Sequence, residues 1–196
     1  MKKRNYLIFN LLLILFIAGY QSFSDAFLKV PLCRQDKDYT GGVAVLQSIL
    51  ASYEYNPPRQ DVIEKAIKTK KKSGTRYENI KNYAEARGYN LEIYGVKDQN
   101  GKILYPEISF EKLTEYLDAG KPLIVLLHNS SQSFVDYSDG RYVVVMGYDS
   151  NYIYLMDPLT LGNYTKIKIE DFKSHWKSNK TYDKTDNLNN FAIVIS

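Results

Sequence analysis

The chain is poor in residues that cross-link a fold or bind metals. Its 196 residues contain one cysteine, Cys33, and two widely separated histidines, His128 and His175. A single cysteine excludes an internal disulfide, so the fold must be held by its apolar core. These three residues show no spacing typical of metal ligands, and no glycine-rich loop typical of phosphate binding is present. We therefore predict no metal ion and no other cofactor.

The chain also lacks a strong excess of charge of either sign. It carries 26 basic and 22 acidic side chains, and 23 basic and 21 acidic side chains follow residue 26. Nucleic-acid binding requires a far more basic surface, so we predict no nucleic-acid partner. Lys68, Lys70, Lys71 and Lys72 form a local basic run. We interpret this run as a solvated loop.

A long apolar run occurs at the N-terminus. Basic residues 2–4 precede an apolar run over residues 6–20, and residues 24–26, Ser-Asp-Ala, have the small-x-small pattern of a cleavage site. This pattern is typical of a secretory signal, so we predict a signal peptide over residues 1–26 and a single domain over residues 27–196. An uncleaved anchor is the alternative, although the run is short for a full span and contains an asparagine. We expect an exported protein, secreted or associated with the cell envelope, with membrane contact only through this segment.

The first half of the predicted domain has the spacing of amphipathic helices. Apolar residues recur at three- and four-residue steps, and Pro57, Gly88 and Gly120 end three of the segments. We predict helices over residues 42–53, 59–68 and 76–87, a helix that Ser109 caps and Gly120 ends, and a short helix over residues 170–176. We expect each of these helices to bury one face against the rest of the domain.

The second half of the domain is richer in strands. The predicted strands are residues 91–96, 123–127, 142–148, 152–157, 164–169 and 191–195. Residues 123–127 and 142–148 are continuously apolar, which favours central positions in a sheet, and the turn at residues 149–151 closes a hairpin. Residues 182–190 are polar and predict a mobile loop. The sequence therefore predicts a single α+β domain.

Four short segments then stand out by their order and spacing. They are QDKDYTGGVAVLQ at residues 35–47, residues 110–113 with 117–125, GRYVVVMGYD at residues 140–149, and residues 152–158. Together they resemble the C39-like peptidase family, a branch of the papain-like cysteine peptidases. The resemblance extends over residues 28–196. It implies a papain-like α+β fold in which an N-terminal helical half packs on a mostly antiparallel sheet.

The same resemblance assigns four functional positions. The nucleophilic cysteine of such enzymes begins the first long helix, and this chain has Gly41 there. The histidine that accepts the thiol proton begins one strand of a hairpin, and this chain has Arg141. Asp157 stands where an acidic or amide residue orients the histidine, and Gln35 stands where a glutamine donates to the oxyanion. The supporting pair is retained, whereas the reacting pair is replaced.

These replacements predict a catalytically degenerate member. Glycine has no nucleophilic atom, and arginine stays protonated at physiological pH. A hydrolase with a rebuilt site is the alternative, with Cys33, His128 or His175 as a stand-in. We favour structural roles for all three, because Cys33 follows apolar residues typical of a strand, His128 follows an apolar strand, and His175 lies beside Trp176 in a short helix.

Two further expectations concern the site itself. The hairpin should bring Arg141 and Asp157 together on one face, so we predict that their charges pair. We also predict a groove between the helical and β halves, floored by Gly41 and Gly42 and edged by Gln35, that binds a peptide or protein ligand. A third interpretation is an interaction module in which this groove is filled.

Overall fold

The computed structural model describes residues 25–128, 140–160, 164–177, 181–182 and 186–196, with backbone alone for residues 181–182. The helices are α1 (Gly41–Tyr53), α2 (Gln60–Ala66), α3 (Tyr77–Ala86), α4 (Phe110–Asp118) and α5 (Ile169–Trp176). The strands are β1 (Ala26–Phe27), β2 (Leu91–Asp98), β3 (Ile103–Tyr105), β4 (Leu123–Leu127), β5 (Arg141–Tyr148), β6 (Tyr152–Met156), β7 (Thr165–Lys168), β8 (Thr181–Tyr182) and β9 (Asp186–Ile195).

The strands form one antiparallel sheet in the order β3-β2-β9-β4-β5-β6-β7. β4 and β5 lie in its middle, as their continuous apolar sequences predict. β5 and β6 form the predicted hairpin, in which Val144 pairs with Met156 and Tyr148 pairs with Ile153. This hairpin connects Arg141, at the start of β5, with Asp157, which follows the end of β6.

Helices cover both faces of the sheet. On one face, α1, α2 and α3 pack against a core cluster that includes Val144, Met156 and Phe191. On the other face, α4 and α5 pack against a second cluster that includes Val143, Leu155 and Trp176. Adjacent residues of one strand enter different clusters, as the alternation of side chains in a strand requires. The predicted α+β fold is confirmed, with a helical layer on each side of the sheet.

Helix α1 is the most deeply enclosed element of the first layer. Its sequence predicts one buried face, yet Gly42, Val43, Ala44, Val45, Leu46, Ser48, Ile49 and Leu50 are all buried. The helix can be enclosed on several sides because small residues alternate with branched apolar ones and carry no charge. It therefore holds its first residue, Gly41, in a fixed position relative to β5.

Two predictions about individual segments are wrong. Residues 186–190 belong to strand β9 rather than to a mobile loop, because β9 pairs with β2 from Asp186 to Ile195 and this pairing satisfies its polar backbone. Tyr182, the first residue of that predicted loop, belongs to strand β8, and residues 183–185 lie outside the described residues. The short strands β1, β3 and β8 have no counterpart among the predicted strands. Cys33 lies in an irregular segment rather than in a strand.

The first described residues join the sheet. Ala26 pairs with Tyr148 and Phe27 pairs with Gly147, so β1 continues the sheet alongside the end of β5. The predicted domain boundary after residue 26 therefore falls inside β1. No helix in the described part of the chain combines the length and the apolar character needed to cross a membrane.

Candidate functional site

The site begins at the N-terminus of α1, where the loop closes on itself. Thr40 precedes the helix, and its Oγ1 accepts a hydrogen bond from the Lys37 backbone N–H at 3.0 Å. The Thr40 hydroxyl also donates to the Lys37 carbonyl at 3.0 Å. Gly41 is the first helical residue and is half-buried, and the first turn carries no acidic side chain. The positive end of the helix dipole therefore stays uncompensated by its own first turn.

Gln35 lies directly beside Gly41. The position that a Cβ atom on Gly41 would occupy is 3.2 Å from the Gln35 Oε1. The Gln35 side-chain amide donates from Nε2 to the Lys37 carbonyl at 2.9 Å. The carbonyl end of this amide therefore faces Gly41. In this arrangement Gln35 offers Gly41 a hydrogen-bond acceptor rather than the donor that an oxyanion would need.

The loop that carries Gln35 is anchored to helix α2. Gln60 accepts from the Asp36 backbone N–H at 3.2 Å and donates to the Arg34 carbonyl at 2.6 Å. The Lys37 ammonium pairs with Glu64 at 2.6 Å and holds the pKa of that carboxyl below its usual range. These contacts fix the position of Gln35 relative to α1.

Gly42 does not form part of an open groove, which corrects one prediction. A Cβ atom at Gly42 would lie 2.5 Å from the Thr75 Cβ, and both residues are buried. The segment between α2 and α3 therefore covers Gly42, and only a glycine allows this close approach. Of the two predicted floor residues, Gly41 alone is partly accessible.

The predicted ion pair between Arg141 and Asp157 is confirmed. Arg141 begins β5, and its Nη1 lies 3.1 Å from the Asp157 Oδ2. The side chain of Asp157 is 5% exposed and that of Arg141 is 19% exposed. The second carboxylate oxygen, Oδ1, accepts from the Leu159 backbone N–H at 2.9 Å. Arg141 thus occupies the hydrogen-bonding position that the resemblance assigns to an imidazole.

Gln35 also connects the two halves of the site. Its backbone N–H donates to the Pro158 carbonyl at 3.1 Å, and Pro158 follows Asp157 directly. Since the Gln35 side chain reaches Gly41, one residue contacts both the start of α1 and the end of the β5–β6 hairpin. The structure thus brings Gln35, Gly41, Arg141 and Asp157 into one region.

The two histidines are placed next to each other, away from solvent. The His128 backbone N–H donates to the His175 carbonyl at 2.9 Å, and His175 Nδ1 donates back to the His128 carbonyl at 2.6 Å. Both residues are buried. The His128 ring borders Gly140, the residue before Arg141. These contacts join the end of β4 to the end of α5, which supports structural roles.

Cys33 is a poor candidate for a displaced nucleophile. It lies two residues before Gln35 and is half-buried. Burial raises the pKa of the Cys33 thiol to about 11. A thiol with this pKa is deprotonated in only about one molecule in ten thousand at pH 7.

This pKa gives a direct prediction for the reactivity of Cys33. We expect the rate of alkylation by iodoacetamide to be far below that of free glutathione at pH 7 and to rise about tenfold per pH unit up to pH 10. The rate can be followed by mass spectrometry of the intact chain, with a Cys33→Ser variant as the blank. A rate that reaches its plateau below pH 8 would instead identify an activated thiol.

Three residues that shape the site were not predicted from the sequence to take part in it. Thr75 covers Gly42, Pro158 holds the Gln35 backbone, and the Leu159 backbone N–H holds Asp157. Of these residues, only Pro158 and Leu159 had a local sequence signal, because a proline directly after Asp157 indicates that the strand ends there. The contact of Thr75 is long-range and has no sequence signal. In the described ranges, no group of three or more His, Cys, Asp or Glu side chains is arranged to hold a metal ion.

Solved structures share this architecture. The peptidase domain of Streptococcus ComA, a bi-functional ABC transporter, aligns with a TM-score of 0.59 and 21% identity over 84% of this chain and 96% of its own. A Bacillus anthracis protein assigned as a C39-like peptidase aligns with a TM-score of 0.57 and 17% identity over 88% of this chain and 98% of its own. A double glycine motif protease from an AMS/PCAT transporter, solved in complex with the leader peptide, aligns with a TM-score of 0.55 and 19% identity over 87% of this chain and 93% of its own. No curated protein matches this chain.

The fold is therefore that of the C39 peptidase domains. Residues 27–184 also match the sequence profile of the Peptidase_C39 like family. The chain belongs to that family. The predicted family resemblance is confirmed.

Proposed function

We propose that this chain is an exported, catalytically inactive C39-like peptidase domain that binds an extended peptide, or a peptide segment of a protein, beside Gly41. The observation that carries the proposal is the ion pair of Arg141 with Asp157, 3.1 Å apart, in a site that has glycine at the start of α1. The supporting residues are held in place, and the two reacting groups are absent from their positions.

The chemistry of these residues supports inactivity. A cysteine peptidase needs a thiolate to attack the carbonyl and a base to accept its proton. Gly41 supplies no side-chain atom, and a guanidinium paired with a carboxylate cannot accept a proton. The raised pKa of Cys33 argues against the alternative of a rebuilt hydrolase, because it leaves almost no thiolate at neutral pH.

The shape and polarity of the site support ligand binding. Gly41 is half-buried and lacks a side chain, so the backbone of a ligand can approach α1 closely. Gln35 Oε1 faces this position and can accept a hydrogen bond from a peptide N–H. Leu159, next to the ion pair, is exposed and offers apolar contact. A structurally similar protease binds a leader peptide, which is consistent with peptide as the ligand class.

Export is part of the proposal and rests on the sequence of the N-terminal segment. A basic start, an apolar run and small residues before the first strand are the features of a secretory signal. We propose that the domain is secreted or retained at the cell envelope.

A peptide-library experiment tests the binding function. We expect the purified chain to retain a subset of a mixed decapeptide library, and to return every peptide uncut as judged by mass spectrometry. A Gly41→Trp variant fills the approach to α1 and should weaken retention by at least about tenfold. Ser150→Trp is the matched control, because Ser150 is exposed at the far end of the β5–β6 hairpin, roughly 25 Å from its start.

Each outcome decides a separate point. Equal retention by the native chain and Gly41→Trp would place the ligand surface elsewhere. No retention by the native chain would contradict peptide binding and favour an interaction module with a filled groove.

A further inference from the structure

The basic run of the sequence forms a closed turn between α2 and α3. Lys70, Lys71 and Lys72 are exposed. The Lys70 backbone N–H donates to the Gly74 carbonyl at 3.0 Å, and the Gly74 N–H donates back to the Lys70 carbonyl at 2.8 Å. Gly74 has a φ of +61°, which a glycine adopts without strain. We call residues 70–74 the basic turn.

The basic turn is attached to the candidate site from both of its ends. After the turn, Thr75 is buried and covers Gly42, the second residue of α1. Before the turn, the Thr69 backbone N–H donates to the Glu64 carbonyl at 3.2 Å, and the Glu64 side chain pairs with Lys37 of the loop before α1. The hydroxyl oxygens of Thr69 and Thr75 lie 2.8 Å apart and join the two ends. The basic turn therefore lies beside the start of α1.

The charge of the basic turn is not neutralised locally. The chain has no acidic residue between Glu64 and Glu78, and these two carboxylates pair with Lys37 and Arg76. Within the described residues, no ion pair engages the three ammonium groups of the basic turn. The positive N-terminus of α1, whose first turn carries no acidic side chain, adds to the same field. This side of the site is therefore attractive to negative charge.

Stabilisation of helix α2 does not account for the basic turn. Basic side chains stabilise the C-terminus of a helix through its dipole, and the effect falls off within the last turn. Lys65 lies in the last turn of α2 and Lys68 follows closely, so these two residues provide that stabilisation. The basic turn lies further along the chain, and its neighbouring ammonium groups repel one another. An anionic ligand would remove this repulsion.

We propose that the basic turn binds an acidic segment of the peptide that lies beside Gly41, so that the preferred ligands carry aspartate or glutamate. This inference rests on the proposed function and specifies its ligand class. An extended chain rises about 3.3 Å per residue, so a decapeptide is long enough to contact α1 and the basic turn together. A ligand shared with the site is favoured over a lipid surface, because Thr75 attaches the turn to α1.

The composition of the retained fraction of a mixed decapeptide library tests this preference. We expect the native chain to enrich peptides with two or more acidic residues at least about fivefold over the input library at roughly 50 mM NaCl. A variant with Lys70→Gln, Lys71→Gln and Lys72→Gln should lose this enrichment and still retain peptides. Raising the salt to about 500 mM should abolish the enrichment by the native chain, because exposed charges are screened.

A second triple variant controls for the change in net charge. Lys102→Gln, Lys166→Gln and Lys168→Gln remove three charges from exposed positions next to β3 and on β7, at the two edges of the sheet. This variant should keep the enrichment. Both triple variants should unfold in urea close to the midpoint of the native chain, since the substituted side chains are exposed. A loss of enrichment then reports on charge rather than on unfolding.

The outcomes separate this inference from the proposed function. Retention without acidic enrichment, or an enrichment that survives substitution of the basic turn, would overturn the inference and leave peptide binding in place. No retention of any peptide by the native chain would overturn both. Vesicles of phosphatidylcholine with about one third phosphatidylglycerol provide the last comparison. Vesicle binding that requires the three lysines, without enrichment of acidic peptides, would overturn the inference and assign the basic turn to a membrane surface.

Discussion

A chain that carries Gly41→Cys together with Arg141→His should hydrolyse peptides. The introduced thiol would lie at the N-terminus of α1, where the helix dipole favours a thiolate. The introduced imidazole would stand beside Asp157, which is already held by the Leu159 backbone N–H. The Cβ of the new cysteine requires only a small shift of the Gln35 side-chain end, at 3.2 Å. The carboxylate partner of the imidazole is thus in place, whereas the Gln35 side-chain amide must turn over to donate to an oxyanion.

The expected gain is large because nucleophile and base act as one unit. We expect cleavage of a mixed peptide library at least about a thousandfold faster than by the native chain. Either substitution alone should give no measurable gain, since a nucleophile without its base, or a base without its nucleophile, does not form the unit. The two single variants are therefore the matched controls.

Thiol titration gives a readout that needs no substrate. In a Cys33→Ser background, the introduced thiol of the double variant should alkylate with an apparent pKa below about 7.5. In the Gly41→Cys single variant, which keeps the helix N-terminus but lacks the imidazole, the pKa of the thiol should lie between this value and the ordinary value of about 8.5. A folded double variant with an ordinary thiol and no cleavage would show that the site does not have peptidase geometry.

Breaking the Arg141–Asp157 pair should cost stability. We expect Arg141→Ala to lower the free energy of unfolding by about 2–4 kcal/mol, because it leaves a 5% exposed carboxylate without its guanidinium partner. Urea denaturation monitored by the fluorescence of the buried Trp176 measures this loss. Asp157→Asn should cost less than Asp157→Ala, since the amide oxygen can still accept from the Leu159 backbone N–H.

An exposed ion pair provides the control. Arg59 and Asp61 are 3.2 Å apart, but their side chains are 87% and 54% exposed. Arg59→Ala should therefore change the free energy of unfolding by less than about 0.5 kcal/mol. A similarly small effect of Arg141→Ala would mean that solvent or other groups replace the guanidinium, and that the pair does not stabilise the site.

Local sequence signals predicted most of the elements that position the site. The apolar spacing before Tyr53 predicted α1 to within one residue, and the apolar runs predicted β4 and β5 as central strands. The hairpin turn predicted that Arg141 and Asp157 meet, because a turn of known length fixes the register of two strands. These features depend on residues that are close in sequence.

Features that depend on distant residues were not predictable in the same way. Residues 186–190 are polar and suggest a loop, yet pairing with β2 makes them a strand. Thr75 covers Gly42 although the two residues are more than thirty positions apart in the sequence. Neither segment has a sequence pattern that predicts this contact. The place of Ala26 in the sheet likewise follows from its pairing with Tyr148, far along the chain. Tertiary contacts decided all three cases.

The rate at which the unmodified chain cuts peptides tests the central claim most directly. The native chain and its Cys33→Ala variant would be incubated with the same peptide library, and the products would be counted by mass spectrometry over several days. We predict no cleavage above a blank without protein, for either chain, together with retention of intact peptides. Sustained cleavage by the native chain, at one set of bonds and in proportion to protein concentration, would contradict the account of a peptidase site without its reacting pair.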